Sequence, residues 1–239
     1  MILNEPGIYS TQTCFNDKEM LKDILNYIPQ IHKEGYVFIA IAILFTLIAF
    51  SFSKSIGIIL LIITIWCITF FRDPERVTSA DEKLIVSPAD GRVDKITLVK
   101  PPAELNMGDD KMTRVSVFLS VFDVHVNRIP ISGIVKVLSY HPGKFLSATL
   151  DKSSDVNERQ SVLIETEGGT NIAVVQIAGL IARRIVCDLD ENQQVKAGER
   201  FGIIRFGSRV DLYIPKKLTV NVLEGQYMIG GETVIAKLS

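Results

Sequence analysis

Cysteine is scarce. Cys14, Cys67 and Cys187 are the only three in 239 residues, and they lie far apart. That spacing fits no metal-ligand set and no disulfide framework, so no metal is expected and a reducing compartment is. Cys67 sits in an apolar run, where a thiol serves as a small hydrophobe. The net charge is only −1, and without a basic excess nucleic acid is not an expected partner. Neither a P-loop nor a GxGxxG turn occurs, so no nucleotide is implied. Only His32, His125 and His141 are available to exchange protons near neutrality.

Long apolar runs, by contrast, are present. Residues 36–52 form one of 17 residues, broken only by Thr46 and Ser51, and residues 56–71 supply another 16. As helices each spans about 25 Å, slightly short of a typical hydrocarbon core. About a dozen strongly apolar residues per run favour insertion by roughly 5 kcal/mol. The connector Ser53-Lys54-Ser55 is too short for a soluble domain, so a helical membrane hairpin over 35–72 is expected. A re-entrant hairpin in one leaflet and a buried hairpin of a soluble protein are the alternatives. Lys33 precedes the runs and Arg72 and Arg76 follow them, which by the positive-inside rule puts both ends in the cytoplasm. Residues 1–34 form a polar N-terminal extension in which no function is legible.

Beyond Pro74 the texture changes. Short β-branched and aromatic runs at 115–126, 134–140, 161–166, 172–178, 201–206 and 210–214 alternate with Gly, Pro and Asp. That pattern predicts a mainly antiparallel β domain over 73–239. Val195-Lys196-Ala197-Gly198-Glu199 and Val222-Leu223-Glu224-Gly225-Gln226 echo one another as V-x-x-G-[EQ]. Such turns open hairpins in lipoyl- and biotinyl-type barrel-sandwich folds.

Gly207-Ser208, inside Arg205-Phe206-Gly207-Ser208-Arg209-Val210, carries the most chemistry. A serine Oγ can attack the carbonyl of the residue before it, converting the peptide bond to an ester. Glycine tolerates the twisted backbone this needs. β-Elimination of the ester leaves dehydroalanine, which hydrolyses to a pyruvoyl group and ammonia. The product is a ketone that can capture a substrate amine. An isolated Gly-Ser is equally an ordinary turn. His125, in Val121-Phe122-Asp123-Val124-His125-Val126, ends an alternating run and can face a cleft; His141 in Tyr140-His141-Pro142-Gly143 reads as a turn residue. Asp90, in Pro88-Ala89-Asp90-Gly91, also spells a turn. Arg183-Arg184 interrupts an apolar stretch, so one arginine should point inward, toward an ion-pair partner such as Glu158 or Asp188 or toward a substrate headgroup. Lys144 beside Gly143 shares that ambiguity.

Four ordered segments resemble the phosphatidylserine decarboxylase family in its short form. They are Ser87-Pro88-Ala89-Asp90-Gly91, Phe122-Asp123-Val124-His125-Val126-Asn127-Arg128-Ile129-Pro130, Asn157-Glu158-Arg159, and Phe206-Gly207-Ser208-Arg209-Val210-Asp211-Leu212-Tyr213-Ile214-Pro215. The resemblance runs from about residue 31 to the C-terminus. It implies self-cleavage between Gly207 and Ser208 into a β chain, 1–207, and an α chain, 208–239, that stay together. It implies a covalent pyruvoyl cofactor at position 208, a phospholipid substrate, an inner-membrane location with a cytoplasmic catalytic domain, and a homo-oligomer. It further implies that Asp90, a histidine and Ser208 form a self-cleavage triad and that His125 serves decarboxylation. Arg183, Arg184 and Lys144 are the headgroup candidates. One departure stands out: long-form members carry a second histidine where this chain has Arg128, which cannot accept a proton. Either His125 serves both steps, or Asp90 acts more directly on Ser208. Two rivals are a membrane-tethered carrier modified at Lys95 and a pyruvoyl decarboxylase of a soluble amino acid.

Overall fold

The apolar runs become two helices joined by one extended residue. α1 (Tyr36–Phe52) and α2 (Lys54–Phe70) are 17 residues each, and Ser53, at φ −156° and ψ 124°, is the whole connection. The expected three-residue connector is thus shorter: Lys54 and Ser55 enter α2 because the Ser53 carbonyl already accepts the Gly57 N–H, 3.0 Å away. Thr46 and Thr64 share a hydrogen bond of 2.9 Å between the helices, and Phe50 packs over Gly57, where a Cβ would meet its ring at 2.4 Å. Most other large side chains of the hairpin face outward, Leu47 and Ile62 each at 62% exposure. With its preceding turn, Lys33–Phe52 is 20 residues, long and apolar enough to cross a membrane; Lys54–Phe70 is shorter.

The computed structural model describes residues 30–143, 157–179, 184–205 and 208–238. Lys144, Arg183 and Gly207 lie outside them, as does the extension before residue 30. The hairpin's base is closed by β1 (Gln30–Ile31) pairing antiparallel with β2 (Arg72–Asp73). The chain then builds β3 (Leu84–Val86), β4 (Gly91–Val99), β5 (Met112–Leu119), β6 (Val126–Arg128), β7 (Gly133–His141), β8 (Arg159–Glu165) and β9 (Asn171–Ala178). It continues with β10 (Ile185–Cys187), β11 (Gln194–Val195), β12 (Arg200–Ile204), β13 (Ser208–Pro215), β14 (Tyr227–Met228) and β15 (Val234–Lys237).

Eight strands form one antiparallel sheet in the order β11-β7-β8-β9-β13-β5-β4-β14, and β10-β12-β6 form a smaller one. The architecture is therefore mainly antiparallel β with an apolar N-terminal hairpin. Side chains alternate across each strand. Val210, Leu212 and Ile214 of β13 join Val115, Val117, Val174 and Ile204 in the main core, whereas Tyr213 packs on the opposite face with Leu105 and Val175. The 115–126 run is not one strand. Asp123 Oδ2 accepts the Ser120 N–H at 2.7 Å and turns the chain between β5 and β6.

The V-x-x-G-[EQ] echo is structural. Gly198 and Gly225 take φ of +83° and +82°. Gly198 and Glu199 exchange backbone hydrogen bonds with Ile129 as Gly225 and Gln226 do with Val93. Positive φ at the glycine is what lets both turns close this way.

Candidate active site

β13 lies at the centre of the large sheet. Its eight residues pair with β5 and six of them with β9, and Ser208, its first residue, sits between Leu119 and Ala178. Ser208 is fully buried and its Oγ has no hydrogen-bond partner among the described residues. An unmet buried hydroxyl costs about 1–3 kcal/mol, so the site needs a reason for it. The next residue points the other way: Arg209 Nη2 donates to the fully buried Asp211 carboxylate at 3.1 Å, anchoring β13 on its second face.

His125 just precedes β6, and its carbonyl accepts the Ile204 N–H at 3.4 Å, four residues before Ser208. Residues two apart in an extended segment share a side, so His125 and Asn127 face together. Asn127 Oδ1 accepts from Gln176 Nε2 at 2.8 Å. Gln176, like Ser208, lies on the core face of its strand, as the register with β13 requires. His125 and Asn127 on one side, and Gln176 and Ser208 on the other, therefore face the layer between the two sheets, joined by the Asn127–Gln176 hydrogen bond. Each is fully buried, and His125 Nε2, Asn127 Nδ2, Gln176 Oε1 and Ser208 Oγ all lack hydrogen-bond partners among the described residues.

The imidazole is oriented by backbone. Its Nδ1 lies 2.9 Å from the Asp123 carbonyl, which can only accept, so Nδ1 carries the proton and Nε2 is a lone-pair acceptor. Burial lowers the His125 pKa to about 4, partly offset by the hydrogen bond and charge of Asp123. The ring packs on Phe70, at the end of α2, with centroids 4.2 Å apart.

Asp90 stands at the same end of the sheet. Arg92 of β4 pairs with Phe118 of β5 while Ser208 pairs with Leu119 across β5, so Asp90 and Ser208 flank the end of one strand. Two strand spacings separate them, about 10 Å between backbones. Gly91 takes φ +147°, and a Cβ there would meet the Phe118 carbonyl at 2.3 Å, which is why glycine follows the aspartate. The Asp90 carboxylate accepts from Gly230 N–H at 2.7 Å and Arg76 Nη2 at 2.6 Å, rather than from His125. Burial raises its pKa; the Gly230 hydrogen bond and Arg76 oppose the rise, and the charge of Asp123 adds to it. Tyr227 donates to Asp123 Oδ1 at 2.9 Å, and burial, then this bond, push its phenol up to about 12.

Arg128 takes a different part. Its Nη1 donates to the Gly198 carbonyl at 2.8 Å and its Nη2 to the Pro74 carbonyl at 2.7 Å, tying the segment after the hairpin to the β domain. Asn157 Nδ2 donates to the Ala178 carbonyl beside Ser208, and the Glu158 carboxylate accepts the Ile185 N–H. Arg184 is exposed and Asp188 pairs with Lys33 at 2.8 Å, so the inward ion pair expected of the arginine pair is not formed by Arg184. His141 lies within β7 and is not a turn residue.

Sequence reading missed Asp123, Asn127 and Gln176. Signals were present: Asn127 is two residues from His125, and Gln176 is the only polar residue in the 172–178 run. Arg76 gave no signal, because its contact with Asp90 depends on the path of the chain after the hairpin.

A family model described as phosphatidylserine decarboxylase matches residues 63–236. A phosphatidylserine decarboxylase proenzyme of Rickettsia bellii (strain OSU 85-389) is 58% identical over 206 residues, covering 86% of this chain and 89% of that protein. Proenzymes of the same name from Rickettsia typhi (strain ATCC VR-144 / Wilmington) and Rickettsia prowazekii (strain Madrid E) are 57% identical over the same shares. At this identity and coverage the chain belongs to the phosphatidylserine decarboxylase family.

Proposed function

We propose that this chain is a proenzyme that cuts itself between Gly207 and Ser208 and then decarboxylates phosphatidylserine to phosphatidylethanolamine. The observation that carries the reading is the buried, unpartnered Ser208 Oγ at the head of a central strand, in one layer with an unpartnered imidazole nitrogen. Neutral His125 takes the Oγ proton through Nε2 as Oγ attacks the Gly207 carbonyl carbon. Asn127 Nδ2 is the nearby donor for the oxygen that gains charge. Loss of the α-proton of residue 208 then expels the Gly207 carboxylate, and water converts the dehydroalanine to pyruvoyl and ammonia. Asp90 acts at a distance, holding Arg76 and Gly230 so that the end of β5 and the Asp123 turn keep their places.

The residues fit a pyruvoyl group at 208, since a small buried position with unmet polar atoms suits a keto group. That group supplies an electrophilic carbonyl and a sink for the electron pair left as carbon dioxide departs. His125 returns the proton that replaces the carboxylate; the substrate's negative charge favours its protonated form. Arg184, Arg183 and Lys144 are the headgroup candidates. The hairpin is read as a membrane anchor over 35–72, with the β domain, 73–239, on the cytoplasmic side, and homo-oligomerisation as a further expectation. The paired V-x-x-G-[EQ] turns support a relation to lipoyl- and biotinyl-type folds. They do not favour a carrier role for Lys95, which leaves Ser208 and His125 without work.

Intact-mass measurement of purified protein tests the reading. Two fragments are expected, the smaller one blocked to N-terminal sequencing and about 17 Da, one ammonia, lighter than the same fragment beginning with serine. Turnover of phosphatidylserine by a single uncut chain would overturn it.

A further inference from the structure

The segment leading to Ser208 is held by the hairpin as well as by the β domain. Arg205 is three residues before Ser208 and directly follows β12. Its Nη2 donates to the Glu34 carboxylate, in the turn that begins the hairpin, and its guanidinium lies over the Phe38 ring of α1 at 5.3 Å. Its backbone N–H donates to the Arg184 carbonyl at 3.2 Å. Both charged side chains are mostly covered, at 19% and 25% exposure, so this pair is less screened than a surface ion pair.

The same aromatic cluster reaches the proposed base. Phe38 stacks on Phe71 with centroids 5.5 Å apart, Phe71 meets Phe70 edge-on at 5.0 Å, and Phe70 lies 4.2 Å from the His125 ring. Arg205, Phe38, Phe71, Phe70 and His125 are thus one line of contacts. It runs from the chain before the nucleophile, through both ends of the hairpin, to the group that would activate it.

Building on the self-cleavage reading, we propose that the hairpin's base is part of the cleavage machinery, with Glu34 and Phe38 as positioning residues that fix Arg205 relative to His125. An attack on a neighbouring carbonyl demands alignment, and a displacement of about 1 Å can cost about 100-fold in rate. The chain before Ser208 is held by the sheet pairing of β12, and the Glu34 and Phe38 contacts add a further grip at Arg205. Self-cleavage then follows the docking of the hairpin against the β domain, which joins maturation to assembly of the membrane segment.

The test uses the full-length chain, made with lipid vesicles present, and follows the conversion of uncut to cut bands with time. Glu34→Gln and Phe38→Leu should each slow conversion about tenfold. The charge swap, Glu34→Arg with Arg205→Glu, should cut faster than either of its single substitutions. Uncut Glu34→Gln chain should resist trypsin as the Ser208→Ala chain does. Wild-type rates in Glu34→Gln and Phe38→Leu, a swap no faster than its singles, or a trypsin-labile Glu34→Gln chain would each overturn the proposal. A wild-type chain that never cuts would instead overturn the self-cleavage reading itself.

Discussion

Charging His125 where it lies costs about 3 kcal/mol relative to water, from the drop of its pKa from 6.5 to about 4. The sign matters for a base. Burial favours the neutral form, so the imidazole keeps its proton-accepting nitrogen at every pH well above 4. Self-cleavage of freshly made chain is therefore expected to hold a constant rate from about pH 8 to about pH 5 and to fall as pH approaches about 4. A midpoint near 6.5 in single-turnover band conversion would mean that a solvated histidine, or another group, is the base. His125→Gln keeps a polar side chain but no basic nitrogen and should slow cleavage by about 100-fold or more. His125 and Ser208 were legible from sequence because their residue types carry the chemistry. The Asp123 carbonyl that orients the imidazole was not, since every residue has a carbonyl and only the turn at 120–123 aims this one.

Among the elements, β13 decides what becomes of the cut chain. Eight register pairs with β5 and six with β9 bind the C-terminal fragment from both sides, and Val210, Leu212 and Ile214 are fully buried. β14 and β15 add pairings to β4 and β3 from the same fragment. Cutting before residue 208 removes one covalent link and none of these. The two fragments should co-elute from size exclusion in mild detergent and separate only under denaturing conditions; separation in mild detergent would contradict the pairing. Strands such as β8, β9 and β13 were legible because each contains a short run rich in β-branched and large apolar residues. β4 was not, because Asp94, Lys95 and Thr97 obscure its pattern where a bulge between Val93 and Lys95 shifts the register.

For the whole molecule, the hairpin presents two kinds of surface. Its outward Leu and Ile side chains are largely exposed, while Phe70 and Phe71 at its base are buried against Val124, Val126 and Ile203 of the β domain. The same helices thus present an apolar surface along their length and pack against the His125 ring at one end. A catalyst fixed in that way meets its substrate in two dimensions and responds to surface density rather than bulk concentration. In mixed vesicles, diluting phosphatidylserine about tenfold with phosphatidylcholine at constant total phosphatidylserine should lower the subsaturating initial rate about tenfold. The water-soluble headgroup analogue glycerophosphoserine should be turned over far more slowly at equal bulk concentration. Were the rate to follow bulk phosphatidylserine and ignore its mole fraction, the hairpin would be serving the fold alone, and the soluble-amine rival would regain its ground. The two apolar runs made the pair of helices legible in sequence. Their junction with the site stayed hidden, because His32, Glu34 and Phe38 meet their partners only after the chain has passed through both helices and come back.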